Sequence, residues 1–154
     1  MKRILVVYHS QEFGNTRRMA ELVAQGCREV PGIEVEMVNV NERRVDIDAV
    51  ERADAYALGS PDYFSYMAGG LKQFFDDLHI ADLAGRKVKG KPCVLFLTHG
   101  GGGKAIASLQ HLAEAMALTE VAPSVSSQGA PTGDTVKHSV ELGKALAEHI
   151  SRLP

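Results

Sequence analysis

The chain alternates between short apolar runs and longer segments in which apolar residues recur every three or four positions. Three runs are apolar almost throughout, at Ile4–Tyr8, Ala53–Gly59 and Pro92–Leu97, which is typical of strands buried on both faces. A fourth segment, Ile33–Asn39, alternates apolar and polar residues and favours a strand half exposed at a sheet edge. A fifth, Val121–Ser126, contains a proline, which lacks a ladder donor and therefore also predicts an edge strand.

Helices are predicted between these strands. Helical spacing predicts one after the first, third, fourth and fifth strands, whereas the charged segment Asn41–Glu51 predicts only a short helix or turn. We expect Ser10 or Asn15 to cap the first helix and Asp134 to cap the last. The predicted inward faces contain Met19, Leu22, Val23, Gly26, Cys27 and Val30 in the first helix, Met67, Leu71, Phe74, Phe75 and Leu78 in the second, Ile106, Leu109, Ala113 and Met116 in the third, and Val136, Val140, Gly143, Ala147 and Ile150 in the fourth.

Strands that alternate with helices predict a three-layer α/β fold, in which one open parallel sheet is covered on both faces. The exposed character of the second and fifth strands favours the strand order 2-1-3-4-5. In such a sheet the loops after strands one, three and four meet at the carboxyl edge, where ligands bind. We expect residues 1–154 to form a single domain.

Composition narrows the classes of function. The 154 residues carry a formal net charge of −2 and no basic stripe, which argues against a nucleic-acid partner and an anionic membrane surface. Cys27 and Cys93 are expected to be buried free thiols, and without a CxxC motif or a histidine pair they predict no metal site. Neither a signal peptide nor a membrane span is predicted, so we expect a cytoplasmic protein.

The first of the three loops has the composition of an anion site. Residues 9–16 read HSQEFGNT and place hydroxyl and amide side chains around one glycine, just before the first predicted helix. A strand that ends in such a turn directs backbone N–H groups and a helix N-terminus outward, which favours an anion. Neither GxxxxGK[ST] nor GxGxxG follows the strand, so the nucleotide fingerprints are missing. The alternative is an ordinary strand-to-helix loop.

Two later loops are expected to complete the site. Residues 59–70, GSPDYFSYMAGG, concentrate aromatic residues that offer flat apolar surface to a planar ring. Residues 98–103, THGGGG, allow backbone to approach a ligand closely. The alternative for both loops is packing without a ligand. Of the six histidines only His9 and His99 fall at this edge, and His99 is the candidate for contact with a bound ring.

Together these segments resemble the flavodoxin family, and the middle one is similar to the flavodoxin-like NAD(P)H:quinone oxidoreductases of the WrbA type. The resemblance covers essentially the whole chain and implies a flavodoxin-like fold with FMN as cofactor. Glu12 is not assigned as a ligand, because a carboxylate beside a phosphate is repulsive. The implied FMN-binding residues are Ser10, Gln11, Phe13, Gly14, Asn15 and Thr16 around the phosphate, Ser60, Pro61, Asp62, Tyr63, Phe64, Ser65 and Tyr66 beside the isoalloxazine and ribityl chain, and Thr98, His99, Gly100, Gly101 and Gly102 on the other side.

The resemblance implies electron transfer from NAD(P)H through FMN to a quinone-like or other small acceptor. No acid–base residue is assigned as catalytic, and His99 is the one candidate. The alternative is a flavodoxin that carries electrons between redox proteins, and a third possibility is a non-redox sensor. A net charge near zero gives little electrostatic steering toward a redox partner, which favours the enzyme. A homodimer is left open.

Overall fold

A computed structural model describes residues 1–154. Parallel strands connected by helices alternate along the chain, as the apolar pattern predicts. The elements are β1 (Lys2–Tyr8), α1 (Asn15–Arg28), β2 (Ile33–Asn39), α2 (Ile47–Arg52), β3 (Ala55–Tyr63), β4 (Tyr66–Met67), α3 (Gly69–Leu83), β5 (Pro92–His99), α4 (Ile106–Ala115), β6 (Thr119–Glu120), β7 (Val125–Gln128) and α5 (Asp134–Ser151).

The sheet has the predicted order, with β2, β1, β3 and β5 side by side and parallel. In place of the predicted fifth strand, Val121–Ser126, two short strands pair in parallel with β5: β6 ends just before this segment, and β7 begins at Val125. Pro123 lies in the gap between them, where a missing N–H costs no ladder bond. The remaining strand, β4, is antiparallel to the end of β3.

The third strand is longer than predicted, since β3 continues past Gly59 to Tyr63 and contains Pro61. The amide of His9 donates to the carbonyl oxygen of Gly59 (3.1 Å), so the backbone polar groups of Gly59 point toward β1. The backbone polar groups of alternate residues point toward the same neighbouring strand. The backbone nitrogen of Pro61 therefore points to the side on which β1 has already ended. A proline is accepted there because no strand remains to receive its N–H.

Two hydrophobic cores cover the two faces of the sheet, as the three-layer prediction requires. Alternate residues of β1, β3 and β5 point to opposite faces: Leu5 and Leu58 pack toward α2, α3 and α4, and Val6 and Ala57 pack toward α1 and α5. The edge strand β2 alternates in burial along most of its length, as predicted. No helix combines the length and the apolar character needed to cross a membrane.

Both cysteines are buried free thiols, as predicted. Burial raises the pKa of Cys27 to about 12, and it raises the pKa of Cys93 to about 12 as well. A thiol that stays protonated at neutral pH is a weak nucleophile. Both side chains therefore serve packing.

The predicted helix caps differ from the structure. Gly14, with φ of 74°, precedes α1, and Asn15 is the first helical residue. Ser10 reaches the helix from a distance, because its Oγ accepts the amide N–H of Arg17 (3.1 Å). At α5 the preceding residue is Gly133, and Asp134 begins the helix without capping it. In both cases the tight turn before the helix requires a glycine with positive φ, which displaces the polar residue by one position.

The inward faces of the helices are largely as predicted. Three predicted positions fall outside their helices, since Val30 follows α1, Met67 belongs to β4 and Met116 ends α4. In α5 the first turns are rotated relative to the prediction. Val136 and Val140 are half-buried there, and the buried residues are Ser139, Leu142, Gly143, Leu146, Ala147 and Ile150.

A pair of glycines brings α1 and α5 into backbone contact. A Cβ added at Gly26 would lie 1.9 Å from the carbonyl oxygen of Val140, and one added at Gly143 would lie 1.9 Å from that of Val23. The Cys27 thiol donates to the carbonyl oxygen of Gly143 (3.3 Å) across the same contact. Because α1 begins at the carboxyl edge of the sheet, this packing also sets where its N-terminus points.

Substitution of Gly143 by alanine is expected to lower the free energy of unfolding by about 1–3 kcal/mol, because the added methyl group meets backbone that cannot move aside. Chemical denaturation measures the change. Gly69→Ala is the matched control: a Cβ at this first residue of α3 meets nothing within 4 Å. Its effect is expected to stay within about 0.5 kcal/mol. Equal effects of the two substitutions would contradict the close helix contact.

Candidate functional site

The predicted loops meet at one cleft of about 370 Å³ at the carboxyl edge of the sheet. The lining residues come from the loop after β1, the first turn of α1, the carboxyl end of β3, and the ends of β5 and β7 with the residue that follows each. The predicted residues that line the cleft are Gln11, Phe13, Asn15, Thr16, Pro61, Asp62, Tyr63, Thr98, His99 and Gly100. Glu12, Gln128 and Gly129 line it as well and were not predicted.

The N-terminus of α1 presents free donors to this cleft. The backbone amides of Asn15 and Thr16 donate to no protein acceptor, and no side chain caps the helix at Gly14. Ser10, buried behind them, satisfies the next amide, that of Arg17. Unpaired amides at a helix N-terminus bind an anion with the help of the helix dipole. The residues present therefore fit a phosphate group.

The floor of the cleft is fixed by a pair of hydroxyl groups. Oγ1 of Thr16, in the first turn of α1, lies 2.7 Å from Oγ1 of Thr98, near the end of β5. Both side chains are buried. A buried hydrogen bond of this kind holds the N-terminus of α1 at a fixed position relative to the end of β5.

Asp62 joins the second and third loops. Its Oδ1 accepts the amide N–H of Ser65 (2.9 Å), and its Oδ2 accepts the amide N–H of Ala105 (3.0 Å), just before α4. A second link runs beside it, because the amide of Met67 donates to Oγ of Ser108 (3.0 Å). Carboxylate–amide bonds are among the stronger hydrogen bonds in proteins. The two loops thus form one connected wall of the cleft.

The tip of the second loop points out of the cleft. Phe64 and Ser65 have φ of 61° and 62°, which form a tight turn between β3 and β4. The Phe64 side chain is fully exposed, and neither Phe64, Ser65 nor Tyr66 lines the cleft. The aromatic residues that line it are Tyr63 and Phe13, and Phe13 is largely exposed at its edge.

The side chain of Ser60 serves the fold. It is fully buried, its Oγ donates to the carbonyl oxygen of Pro61 (2.7 Å), and it accepts the amide N–H of Ala68 (2.8 Å). The last two predicted positions, Gly101 and Gly102, are exposed beside the cleft without lining it. Together with Gly100 they carry backbone amides that donate to no protein acceptor.

The two histidines at this edge have different environments. His9 is buried, its Nδ1 accepts the amide N–H of Gly70 (3.1 Å), and its Nε2 lies 2.6 Å from Oε1 of Gln11. An Nδ1 that accepts a bond carries no proton, so the ring is the neutral tautomer protonated at Nε2. His99 lines the cleft and is half-buried, and its buried Nδ1 has no hydrogen-bond partner. A polar atom left unpaired beside a cleft is typical of a site that receives a polar ligand.

Neither a lysine nor an arginine lines the cleft, and two acidic side chains, Glu12 and Asp62, do. Burial raises the pKa of Tyr63, and the nearby Glu12 carboxylate raises it further, so the phenol stays neutral at physiological pH. Arg17, in the first turn of α1, is paired with Glu42 at 2.6 Å on the surface. A phosphate in this cleft would therefore be held by amides and hydroxyl groups without a lysine or arginine contact.

Two groups of residues were missed by the sequence analysis. Gln128 and Gly129 belong to the site because the amide of Gly129 donates to the carbonyl oxygen of His99 (2.9 Å) and Nε2 of Gln128 donates to that of Gly100 (3.3 Å). The stretch SSQGAPTG, which begins within β7 and continues to the start of α5, carries the same glycine and hydroxyl signal as the other loops. Asn39, at the end of β2, is the other and lies outside the cleft.

A second cavity of about 400 Å³ lies at the opposite end of β1 and β2. Its charged lining residues are Arg3, Glu34, Glu36 and Arg52, and Arg3 is paired with Glu34 at 3.0 Å. None of the predicted site residues lines this groove.

Comparison with known sequences gives concordant matches. A family model described as NADPH-dependent FMN reductase matches residues 2–132. A flavodoxin of Aquifex aeolicus is 39% identical over 114 residues, which cover 73% of this chain and 59% of that protein, so the match spans less than two thirds of the relative. An NAD(P)H dehydrogenase (quinone) of Archaeoglobus fulgidus is 30% identical over 193 aligned positions, which cover 99% of this chain and all of that protein. The relative therefore contains residues that this chain lacks.

Comparison with solved structures finds the same fold in a flavodoxin. The structure of a flavodoxin from the domain Archaea superimposes with a TM-score of 0.83 at 26% identity. The match covers 97% of this chain and 99% of that one.

Substitution of Asp62 by alanine is expected to leave the amides of Ser65 and Ala105 without acceptors and to lower the free energy of unfolding by about 1–3 kcal/mol. Amide hydrogen exchange should become faster at these two positions, and Asp62→Asn should have a smaller effect, because it keeps one oxygen. Asp76→Ala removes an exposed carboxylate paired with Lys72 and serves as control, with an expected change below about 0.5 kcal/mol. Unchanged exchange in Asp62→Ala would contradict the linkage of the two loops.

Proposed function

The chain belongs to the NADPH-dependent FMN reductase family and has the flavodoxin-like fold. On that premise we propose that it binds one FMN in the carboxyl-edge cleft. We also propose that it transfers electrons from NAD(P)H to a quinone-like or other small acceptor. The predicted family, fold and FMN cofactor are confirmed by the family-model match and by the flavodoxin matches in sequence and structure. The observation that carries the proposal is the convergence of three loops on one cleft that also contains two unpaired helix amides.

The phosphate would lie at the N-terminus of α1. The amides of Asn15 and Thr16 are free to donate to it. The Ser10 hydroxyl accepts the Arg17 amide through its oxygen, and its hydrogen remains free to donate to the phosphate as well. The α1 dipole adds a favourable field for a dianion. Glu12 lines the same cleft, but its side chain is exposed, so solvent screens the repulsion between its carboxylate and the phosphate.

The ring system would lie between the second and third loops. Tyr63 offers aromatic surface from the second loop, and the amides of Gly100, Gly101 and Gly102 in the third loop are free to meet polar ring atoms. Bound FMN supplies the redox chemistry, and the protein contributes position and electrostatics. His99 would receive at Nδ1 the partner that it lacks in the protein.

Two functions fit this cleft, and the quinone-reducing enzyme is the one we favour. The full-length match to a quinone dehydrogenase and the small net charge of −2 support the enzyme. The flavodoxin relative supports the alternative, an electron carrier that docks on a redox protein.

A cytoplasmic location suits the two free thiols, which persist in a reducing compartment. We also propose a homodimer for test, because Ile80 and Leu83 expose large apolar side chains on α3.

Purified protein is expected to take up FMN at one molecule per chain and then to oxidise NADH or NADPH with a benzoquinone acceptor. Dialysis followed by absorption spectroscopy measures the stoichiometry, and free FMN at the same concentration controls for reaction without protein. Uptake without NAD(P)H oxidation would favour the carrier. Failure to take up FMN would contradict both functions.

Substitution of Tyr63 by alanine is expected to raise the Kd for FMN about tenfold, because an aromatic contact of about 1.4 kcal/mol is lost. Tyr63→Phe should stay within about threefold, since the ring remains. Fluorescence titration of FMN measures these constants. Tyr66→Ala is the matched control, because Tyr66 lies on the same hairpin outside the cleft. A larger effect at Tyr66 than at Tyr63 would contradict the proposed ring position.

A further inference from the structure

Asn39 is a buried polar residue at the end of β2 that does not line the cleft. Its side chain forms hydrogen bonds with both the backbone N–H and the carbonyl oxygen of Ser10 in the first loop. Oδ1 accepts the amide N–H of Ser10 (2.9 Å), and Nδ2 donates to the carbonyl oxygen of Ser10 (3.0 Å). Oδ1 also accepts the amide N–H of Asn41 (3.1 Å), so the amide group is well satisfied.

This arrangement continues the sheet with a side chain. The last backbone bond between β1 and the end of β2 runs from the amide of Val40 to the carbonyl oxygen of Tyr8 (2.8 Å). Ser10, two residues beyond Tyr8, then finds in Asn39 the donor and acceptor that a neighbouring strand would supply. The peptide that opens the first loop is therefore held at a fixed place relative to the sheet.

The position of Ser10 matters because its hydroxyl faces the helix. Oγ accepts the amide N–H of Arg17 (3.1 Å), the third residue of α1. That bond uses an oxygen lone pair and leaves the hydroxyl hydrogen to donate elsewhere. Beside the free amides of Asn15 and Thr16, this hydrogen completes a set of donors for an anion.

We propose that Asn39 is a positioning residue for recognition of the FMN phosphate, which acts through the peptide and hydroxyl of Ser10 without touching the cofactor. The inference rests on the proposed function. It implies that loss of the Asn39 side chain weakens binding of the phosphorylated flavin more than binding of riboflavin, which lacks the phosphate. A residue that only supports the fold would weaken both ligands alike.

The test compares the dissociation constants of FMN and riboflavin in full-length variants. Asn39→Ala is expected to raise the dissociation constant of FMN about tenfold, because roughly one to two hydrogen bonds are lost. The dissociation constant of riboflavin should change less than about twofold. Asn39→Ser is a milder second variant in case the alanine variant fails to fold. Tyr56→Phe is the matched control, because it removes a buried hydrogen bond to the Val88 carbonyl (2.6 Å) away from the cleft.

A double-mutant cycle with Ser10→Ala tests the route. If Asn39 acts through Ser10, Asn39→Ala should change the FMN constant less in the Ser10→Ala background than in the wild-type background. Selective loss of FMN affinity together with this non-additivity supports the proposal. Equal weakening of FMN and riboflavin, no weakening of either, or full additivity would overturn it. A wild-type chain that binds riboflavin and FMN equally would place the failure in the proposed phosphate site, and one that binds neither would overturn the proposed function itself.

Discussion

Two backbone amides without a protein acceptor, at Asn15 and Thr16, are the feature on which the rest of the site depends. An unpaired helix N-terminus costs free energy unless water or a ligand satisfies it, so its surroundings determine what it binds. Here the left-handed Gly14 starts the helix without a capping side chain, and the Gly26–Gly143 contact fixes the helix against α5. The fold thereby holds these two free amides at the carboxyl edge of the sheet, where we propose that the phosphate binds.

The other walls of the cleft are held by hydrogen bonds between loops that are distant in sequence. The Thr16–Thr98 pair fixes the floor, Asp62 ties the second loop to the start of α4, and Asn39 holds the opening of the first loop. Such cross-links reduce the reorganisation that a ligand must induce on binding. The cleft contains neither lysine nor arginine, and oriented amides and hydroxyl groups suffice for a phosphate.

The sequence predicted the strand order and the three convergent loops, because buried apolar runs and glycine-rich turns leave local signals. It did not predict that β3 runs through Pro61, since that depends on where the neighbouring β1 ends. The exclusion of Phe64 and Tyr66 from the cleft depends on a tight turn that no local pattern distinguishes from a ligand loop. Asn39 was missed as a site residue for a related reason: its role arises from pairing across strands, whereas its own segment is simply an edge strand.

Titration of isotopically labelled protein with FMN, followed residue by residue in amide NMR spectra, tests the central claim most directly. The account predicts that the amides of Asn15 and Thr16 undergo the largest downfield shifts, and that riboflavin leaves these two signals nearly unchanged while still shifting those of the second and third loops. Shifts centred instead on the groove near Arg3 and Arg52, with Asn15 and Thr16 unaffected, would contradict it.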